Sequence, residues 1–292
     1  MARLPFRARR TPKPGPEGAA PDGTGCLICG RGGLTTRSVA WRKNDARVRD
    51  VTICRHCGFV AAAELSSDRY RGKTSLEELP TVGVRAGTME HPGREFQMAR
   101  MALDILRRDQ SDVLVYGAGR SMDNHHISAL PNVGHVAIGD IMNARDDMEF
   151  HDANEPAKRQ FDIVVASEVI EHFRKPRENF PQLFQFVNDE GIIVCGTSLR
   201  GHRPLRDQRY LFYPDHTALY SPESLQLIAR DNRFHLDLRH PEGLGPRKRY
   251  VILTRSQRTM ELVTRYFGYT PIAPSEKTVE PKGSDQASTD TP

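Results

Sequence analysis

The chain of 292 residues carries a formal net charge of +5 at pH 7, with 38% hydrophobic and 27% charged residues. This composition is ordinary for a globular protein, and the length allows one sizeable domain with a smaller module. No apolar run reaches the roughly 18 residues that a membrane-spanning helix needs, which excludes a helical membrane protein. A net charge this small does not by itself indicate a nucleic-acid partner.

The N-terminal residues 1–25 are rich in Pro, Gly and Ala and carry five basic residues against Glu17 and Asp22. They lack the apolar core of a secretory signal and the Ser-rich amphipathic helix of a transit peptide. We therefore expect a disordered basic leader on a cytoplasmic protein. At the other end, residues 257–292 form a predicted C-terminal extension, which we expect to be disordered from about residue 271 because Pro, Ser, Thr and charge dominate it.

Residues 26–65 form a predicted module with two C-x-x-C pairs, Cys26/Cys29 and Cys54/Cys57. Each pair can bind one metal ion from a tight turn, and four cysteine sulfurs in a tetrahedron are a usual coordination of structural zinc. The 24 residues between the pairs are enough for a short hairpin. The spacing predicts a zinc ribbon, and a redox role of the cysteines is the alternative. Four protein ligands leave no position for a substrate, so the expected role is structural.

The same module is rich in basic residues, which leaves open a ribbon that binds nucleic acid. No platform of exposed aromatic residues accompanies them, although single-stranded nucleic acid is usually stacked on such a platform. The basic residues of the module are Arg31, Arg37, Arg42, Lys43, Arg47, Arg49 and Arg55.

A linker and helical region is expected at 66–110, with apolar residues at helical spacing over 95–108. In the domain predicted at 111–256, apolar runs rich in β-branched residues indicate strands buried on both faces. Later, Ser221 before Pro222 predicts the start of a helix. The alternation of strands and helices predicts a doubly wound α/β domain. Its expected strands are 112–116, 133–139, 161–166 and 191–196, with a further pair near 234–240 and 249–255.

A glycine turn follows the first of these strands. Gly117 and Gly119 let the backbone approach a ligand closely, and Asp140, 21 residues after Gly119, stands where a carboxylate can accept both ribose hydroxyls. A dinucleotide site would need its third glycine at Met122, whereas S-adenosylmethionine enzymes more often have it at position 121, where the small Ser121 stands. Up to this point both cofactor classes remain open.

Two segments further along separate these cofactor classes. Residues 150–153 read Phe-His-Asp-Ala, and residues 161–173 read Phe-Asp-Ile-Val-Val-Ala-Ser-Glu-Val-Ile-Glu-His-Phe. With the glycine turn, the region from about 95 to 240 resembles class I S-adenosylmethionine-dependent methyltransferases. This resemblance implies a Rossmann-like, mostly parallel seven-stranded sheet. The cofactor-binding residues that it implies are Gly117, Gly119, Ser121, Asp140, Asp152, Ala153, Ser167 and Glu168.

The resemblance also assigns roles to some of these positions. Asp152 is expected to bind the adenine amino group, with the backbone N–H of Ala153 beside it, while Ser167 and Glu168 are expected at the sulfonium end. The family usually has an acidic residue, which helps to hold the methionine part, where this chain has Val115. A domain that binds without turnover is therefore an alternative.

Residues 210–225 contain His216 followed after four residues by Ser-Pro-Glu-Ser-Leu. This segment resembles a methyltransferase subfamily that acts on sugars and related metabolites and carries an N-terminal zinc ribbon. The resemblance implies that His216 faces the acceptor as general base, a role suited to the pKa of histidine. His172 is the second candidate, with simple packing as its alternative. The expected function is methylation of a small polyhydroxylated metabolite, a sugar or glycan, and methylation of RNA is the alternative.

Overall fold

The computed structural model describes most of the chain between the two termini. Residues 1–24 of the predicted leader and the predicted tail from residue 271 lie outside the described residues. These are residues 25–63, 75, 77–78, 86–213, 215–241 and 248–268.

The cysteine module folds into the antiparallel hairpin that its spacing predicts, with a short third strand that was not predicted. The hairpin joins the two C-x-x-C pairs, and Thr36 lies opposite Thr52 within it. The three strands are β1 (Leu34–Trp41), β2 (Asn44–Cys54) and β3 (Val60–Ala62).

The remaining described chain alternates between helices and strands. Short 3-10 turns occur at Ile170–His172, Leu205–Asp207 and Arg209–Phe212. The regular elements are α1 (Arg94–Leu106), β4 (Ser111–Tyr116), α2 (Asp123–Ser128), β5 (Val133–Asp140), β6 (Glu149–Asp152), β7 (Phe161–Ser167), α3 (Pro176–Phe184), β8 (Val187–Ser198), β9 (Ala218–Leu219), α4 (Pro222–Asp231), β10 (His235–Arg239), β11 (Lys248–Thr254) and α5 (Gln257–Phe267).

Seven strands make one sheet in the order β10-β11-β8-β7-β4-β5-β6. Strands β4 to β8 pair in parallel, and β10 and β11 are antiparallel additions at one edge. The predicted doubly wound, mostly parallel sheet of seven strands is confirmed. Because β4 lies between β5 and β7, the loops that follow these three strands meet at one end of the sheet, where doubly wound folds bind ligands.

Helices cover both faces of this sheet. On one face, Met98 of α1, Ile127 of α2 and Val263 of α5 are buried in one apolar cluster. On the other face, Phe180 of α3 and Leu225 of α4 belong to a second cluster. Each such side chain contributes roughly 1.5–3 kcal/mol through its removal from water. Helix α5, which lies within the predicted C-terminal extension, thus packs on the sheet.

Helix α4 begins as its sequence predicts. Ser221 Oγ accepts a hydrogen bond of 3.0 Å from the Ser224 backbone N–H, and the Ser224 hydroxyl lies 3.0 Å from the Ser221 N–H, which completes a capping box. Pro222 occupies the first helical position, where its missing N–H costs no intrahelical hydrogen bond.

The ribbon sheet has a fourth strand that the sequence did not predict. Strand β9 pairs with β3 through Val60 opposite Leu219 and Ala61 opposite Ala218. The resulting order is β1-β2-β3-β9, so one strand of the ribbon sheet comes from the loop that follows β8. Cys54 and Cys57 also belong to the apolar cluster formed by α3 and α4. The ribbon is therefore packed against the α/β domain.

Candidate functional site

The glycine turn after β4 has two glycines with positive φ, 70° at Gly117 and 51° at Gly119. A Cβ at Gly117 would lie 2.5 Å from Val169 Cγ2, so a side chain there is excluded by a close approach. A Cβ at Gly119 would have no atom within 4 Å. The space over Gly119 is therefore open to a ligand.

Asp140 ends β5 directly beside this turn. Its Oδ1 accepts a hydrogen bond of 2.7 Å from the Ile141 N–H, and its Oδ2 lies 3.4 Å from the Gly119 N. Burial raises the pKa of Asp140, and these N–H groups oppose the shift. The carboxylate borders a cavity lined by Gly119, Ile138, Asp140, Met142, Ala144, Arg145 and Phe150. A carboxylate beside mostly apolar side chains matches the chemistry of a ribose and an adenine.

Arg145, which sequence reasoning missed, fixes the outer wall of this cavity. Its guanidinium donates to the Ser121 backbone carbonyl, to Asn124 Oδ1 at 2.8 Å and to Asp147 Oδ2 at 2.5 Å. The side chain is only 5% exposed. The same ion pair holds the pKa of Asp147 well below its usual range. Arg145 thereby ties the loop after β5 to the glycine turn.

The two residues expected at the adenine lie at the end of β6. The Asp152 carboxylate is exposed and accepts a hydrogen bond of 2.8 Å from the Asn154 N–H. Ala153 is buried, and its N–H donates 2.8 Å to the Asp140 carbonyl. If the Ala153 N–H also donated to the adenine, it would be shared between the adenine and the Asp140 carbonyl.

Ser167 and Glu168 lie at the carboxyl end of β7. Ser167 Oγ is buried and has no hydrogen-bond partner among the residues that the structure describes. Glu168 has a φ of 58°, an unusual value for a residue with a side chain, and such strain is often found at functional sites. Its carboxylate pairs with Lys248 and, at 3.6 Å, with Arg94. The site thus holds a fixed negative charge between two cations.

Glu171 is a fully buried carboxylate that the sequence analysis did not single out. Tyr210 Oη donates a short hydrogen bond to its Oε1, and Thr197 Oγ1 donates one of 3.1 Å to its Oε2. Burial raises the pKa of Glu171 to about 7, against the effect of these two donors. The sequence does place Glu171 within Glu-Val-Ile-Glu-His, near the end of the segment 161–173 that carries the family resemblance.

The two candidate histidines lie next to each other. Their ring centroids are 5.0 Å apart in an edge-to-face arrangement. His172 Nδ1 is 2.9 Å from the Asp215 carbonyl and His216 Nδ1 is 2.8 Å from the Tyr210 carbonyl. A carbonyl oxygen only accepts, so in each ring Nδ1 carries the proton and Nε2 a lone pair.

Both histidines are held in the neutral form. Burial lowers the pKa of His172. Burial and, secondly, the neighbouring His172 lower the pKa of His216 to about 3. Glu171, His172 and His216 each offer one ligand atom within 4.8 Å of the others, a spacing that metal sites also have. The hydrogen bonds from Tyr210 and Thr197 account for both oxygens of Glu171 without a metal.

The four ribbon cysteines converge on one point. The Sγ atoms of Cys26 and Cys57 are 3.5 Å apart, and those of Cys29 and Cys54 are also 3.5 Å apart. All four lie within 4.8 Å of one another. Tetrahedral zinc–sulfur bonds of about 2.3 Å would separate the sulfurs by about 3.8 Å, close to these distances. The donor set and its geometry therefore fit a zinc ion.

Residues 83–237 match the family model described as a methyltransferase domain. The match covers 155 of the 292 residues. The chain belongs to this methyltransferase family. The predicted S-adenosylmethionine-dependent methyltransferase is thereby confirmed, whereas the family match does not specify an acceptor. No protein of curated function matches the methyltransferase in sequence. In the described part of the chain, no helix is both long and apolar enough to cross a membrane.

Solved structures similar to the methyltransferase share little sequence with it. DhpI in complex with S-adenosylhomocysteine is 18% identical over 56% of this chain and 86% of that chain, with a TM-score of 0.40. A Burkholderia thailandensis 1,6-didemethyltoxoflavin-N1-methyltransferase is 12% identical over 54% and 75%, with a TM-score of 0.41. Human N-acetylserotonin methyltransferase is 14% identical over 55% and 52%, with a TM-score of 0.42.

Proposed function

We propose that the methyltransferase methylates a small polyhydroxylated metabolite, a sugar or glycan, with His216 as the general base. The observation that carries the proposal is the pair of neutral histidines, His172 and His216, beside the carboxyl end of β7. A hydroxyl acceptor needs a base because its proton must leave as the new bond to carbon forms. His216 has its Nδ1 proton on a backbone carbonyl, which leaves its Nε2 lone pair for that task.

The cofactor would be held by the end of the sheet. Gly117 and Gly119 allow the close approach, Asp140 would accept the ribose hydroxyls, and Asp152 with Ala153 would border the adenine. Bound S-adenosylmethionine supplies an electrophilic methyl group. The chain itself needs only to hold the acceptor in line with that group and to receive the proton. Ser167 and Glu168 stand at the corresponding end of β7.

Glu171 supports this role of His216. A proton that arrives on His216 turns the ring into a cation, and the Glu171 carboxylate has an oxygen within 4.8 Å of the ring nitrogen. The ionised form of Glu171 would stabilise the developing imidazolium, since the site is buried and water screens the interaction little. His172 would act as the second base candidate or hold the His216 ring through the edge-to-face contact.

Buried polar groups without partners favour a polyhydroxylated acceptor. Ser167 Oγ and Thr217 Oγ1 are both at most 9% exposed and have no hydrogen-bond partner among the described residues. Buried hydroxyls without partners are costly, and the hydroxyls of a bound sugar could satisfy them.

For the ribbon, the proposal assigns one structural zinc ion to Cys26, Cys29, Cys54 and Cys57. Bound zinc would hold the two cysteine turns together and do no chemistry, because all four ligands come from the protein. If the cysteines had a redox role instead, no metal ion would join the two turns.

One contact of the ribbon weakens the RNA alternative. Arg49 is 0% exposed, so it is engaged within the protein. This one of the seven basic residues is therefore not open to phosphates.

Transfer of a labelled methyl group into nucleotide sugars, free glycans and RNA tests the proposal. We expect incorporation into a polyhydroxylated small molecule, a loss of roughly a hundredfold or more in His216→Ala, and no change in the matched control His202→Ala, whose side chain is exposed. Incorporation into RNA alone would overturn the acceptor assignment, and full turnover of His216→Ala would overturn the assignment of the base.

A further inference from the structure

Two buried carboxyl groups lie side by side at the glycine turn. Glu95, in the first turn of α1, is 5% exposed, and Asp123, the first residue of α2, is 0% exposed. Glu95 Oε2 accepts a hydrogen bond of 3.2 Å from Ser121 Oγ, and the two carboxyl groups are close enough to share a proton. The pair thus borders the turn that follows β4.

The packing of Asp123 accounts for only one of its oxygens. Oδ1 accepts a hydrogen bond of 2.6 Å from the Gly93 N–H at the start of α1. Oδ2 is buried and has no hydrogen-bond partner among the described residues. The helix dipole at the start of α1 favours nearby negative charge, yet it supplies no donor to this oxygen.

The pair also lacks a cation of its own. In the part of the chain that the structure describes, no Lys or Arg forms an ion pair with Glu95 or Asp123, and the adjacent Arg94 pairs with Glu168 instead. Two like charges in a buried site are costly. Burial and, secondly, Asp123 raise the pKa of Glu95 to about 8, so the pair lowers its repulsion by keeping one proton.

The chain has an apolar residue where an acidic one is expected for the methionyl end of the cofactor. That position is Val115, which is 1% exposed within β4. The two buried carboxyl groups reach the same glycine turn from its other side, through Ser121. A primary ammonium group carries a positive charge and three N–H donors, which the buried pair lacks.

We propose that Glu95 and Asp123 together form the binding site for the α-ammonium group of the cofactor's methionyl moiety. The inference rests on the proposed cofactor site and adds two ligand-binding residues to it. The ammonium donates to Asp123 Oδ2 and to Glu95, and its positive charge takes the place of the proton that the pair otherwise keeps. The methionyl carboxylate has a matching cation nearby, because Arg94 Nε is buried and lacks an acceptor among the described residues.

Two ligands that differ only at the methionyl end test the proposal. S-adenosylhomocysteine has the ammonium and the carboxylate, whereas 5′-methylthioadenosine keeps the nucleoside and has neither. Titration calorimetry measures both dissociation constants for the full chain, for Glu95→Gln and for Asp123→Asn. We expect S-adenosylhomocysteine affinity to fall roughly ten- to hundredfold in each variant and 5′-methylthioadenosine affinity to stay within about twofold.

The matched control is Asp104→Asn, an exposed carboxylate on the same helix, which should bind both ligands like the unmodified chain. A second readout is proton release, measured in buffers of different ionisation enthalpy. Near pH 7, S-adenosylhomocysteine should displace the proton of Glu95, and 5′-methylthioadenosine should displace none.

The outcomes separate this inference from the proposed function. Equal losses for both ligands would overturn it, because they indicate a damaged glycine turn. Unchanged S-adenosylhomocysteine affinity in both variants would also overturn it. If the unmodified chain binds neither ligand, the proposed cofactor site falls, and the inference falls with it.

Discussion

The guanidinium of Arg49, on strand β2 of the ribbon, donates a hydrogen bond of 2.9 Å to the backbone carbonyl of His216. The same side chain donates to the carbonyls of Ala63, Leu211 and Tyr213. Arg49 is fully buried, and one residue of the N-terminal module thereby fixes the backbone of the loop that carries the proposed base. The ribbon is in this sense a part of the proposed acceptor site.

Substitution of Arg49 should therefore affect the loop more than the cofactor. Arg49→Lys keeps the charge but cannot reach four carbonyls, and buried acceptors without donors cost about 1–3 kcal/mol each. We expect a lower melting temperature and weaker methyl transfer with nearly unchanged S-adenosylhomocysteine affinity. The matched control is Arg37→Lys, whose side chain is exposed. A variant with unaltered stability would contradict the anchoring role.

Loss of zinc should destabilise more than the ribbon. The turn carbonyls of Ile28 and Cys57 accept hydrogen bonds from Arg177 of α3 and Ser221 of α4. Cys57→Ser should reduce bound zinc from about one equivalent and lower the melting temperature of the whole chain. Elemental analysis with calorimetric unfolding measures both, and Cys195→Ala is the control because Cys195 lies in β8, outside the cysteine cluster. Far less than one equivalent of zinc in the unmodified chain would refute the zinc assignment.

Glu171 should give the fold a pH dependence of a definite sign. Its pKa is raised to about 7 in the folded chain, above the value of 4.5 expected when unfolded. The folded state therefore binds more protons between these values, and the stability contribution present at low pH is lost as the pH rises to 7. Glu171→Gln should flatten this trend by up to about 3 kcal/mol.

Unfolding in denaturant at pH 5 and at pH 7.5 measures that difference. At each pH, the free energy of unfolding of the variant is subtracted from that of the unmodified chain. This difference removes the contribution of other carboxyl groups such as Glu95. An identical pH dependence in both proteins would show that the buried carboxyl does not titrate as described.

The two glycines of the turn should respond differently to alanine. Gly117→Ala places a Cβ 2.5 Å from Val169 Cγ2 at a φ of 70°, so we expect a loss of stability that Val169→Ala partly restores. Gly119→Ala meets no atom, so its stability should fall by only about 1–2 kcal/mol from the backbone strain. Its cofactor affinity should fall more, because the methyl group occupies the ligand's space. Melting temperatures and S-adenosylhomocysteine titrations distinguish the two effects.

Local patterns were sufficient to predict the sheet and the cofactor turn. The apolar runs of β4, β5 and β7 are buried on both faces, which makes them recognisable, and Ser221 caps α4 through atoms that are adjacent in sequence. The family match confirms the class of enzyme that these motifs indicated.

The contacts that shape the site were not predictable in this way. Arg49 reads as one more basic residue of the module, and only the packed structure shows its side chain among buried carbonyls. Glu95 lies in the first turn of α1, where an acidic residue is ordinary, so the sequence did not mark it as buried. The proximity of His172 and His216 depends on a loop closure of 44 residues, and spacing in the sequence carries no information about it.

Strand β9 has a consequence for the order of events in folding. Val60 pairs with Leu219, so the ribbon lacks its last strand until the segment around Leu219 has been made. Contacts across such a separation form slowly, since a long loop must close before they contribute. The ribbon is synthesised before the α/β domain but finished after most of it, and its completion brings the His216 loop into place. Assembly of the site is thereby a late step in the maturation of the chain.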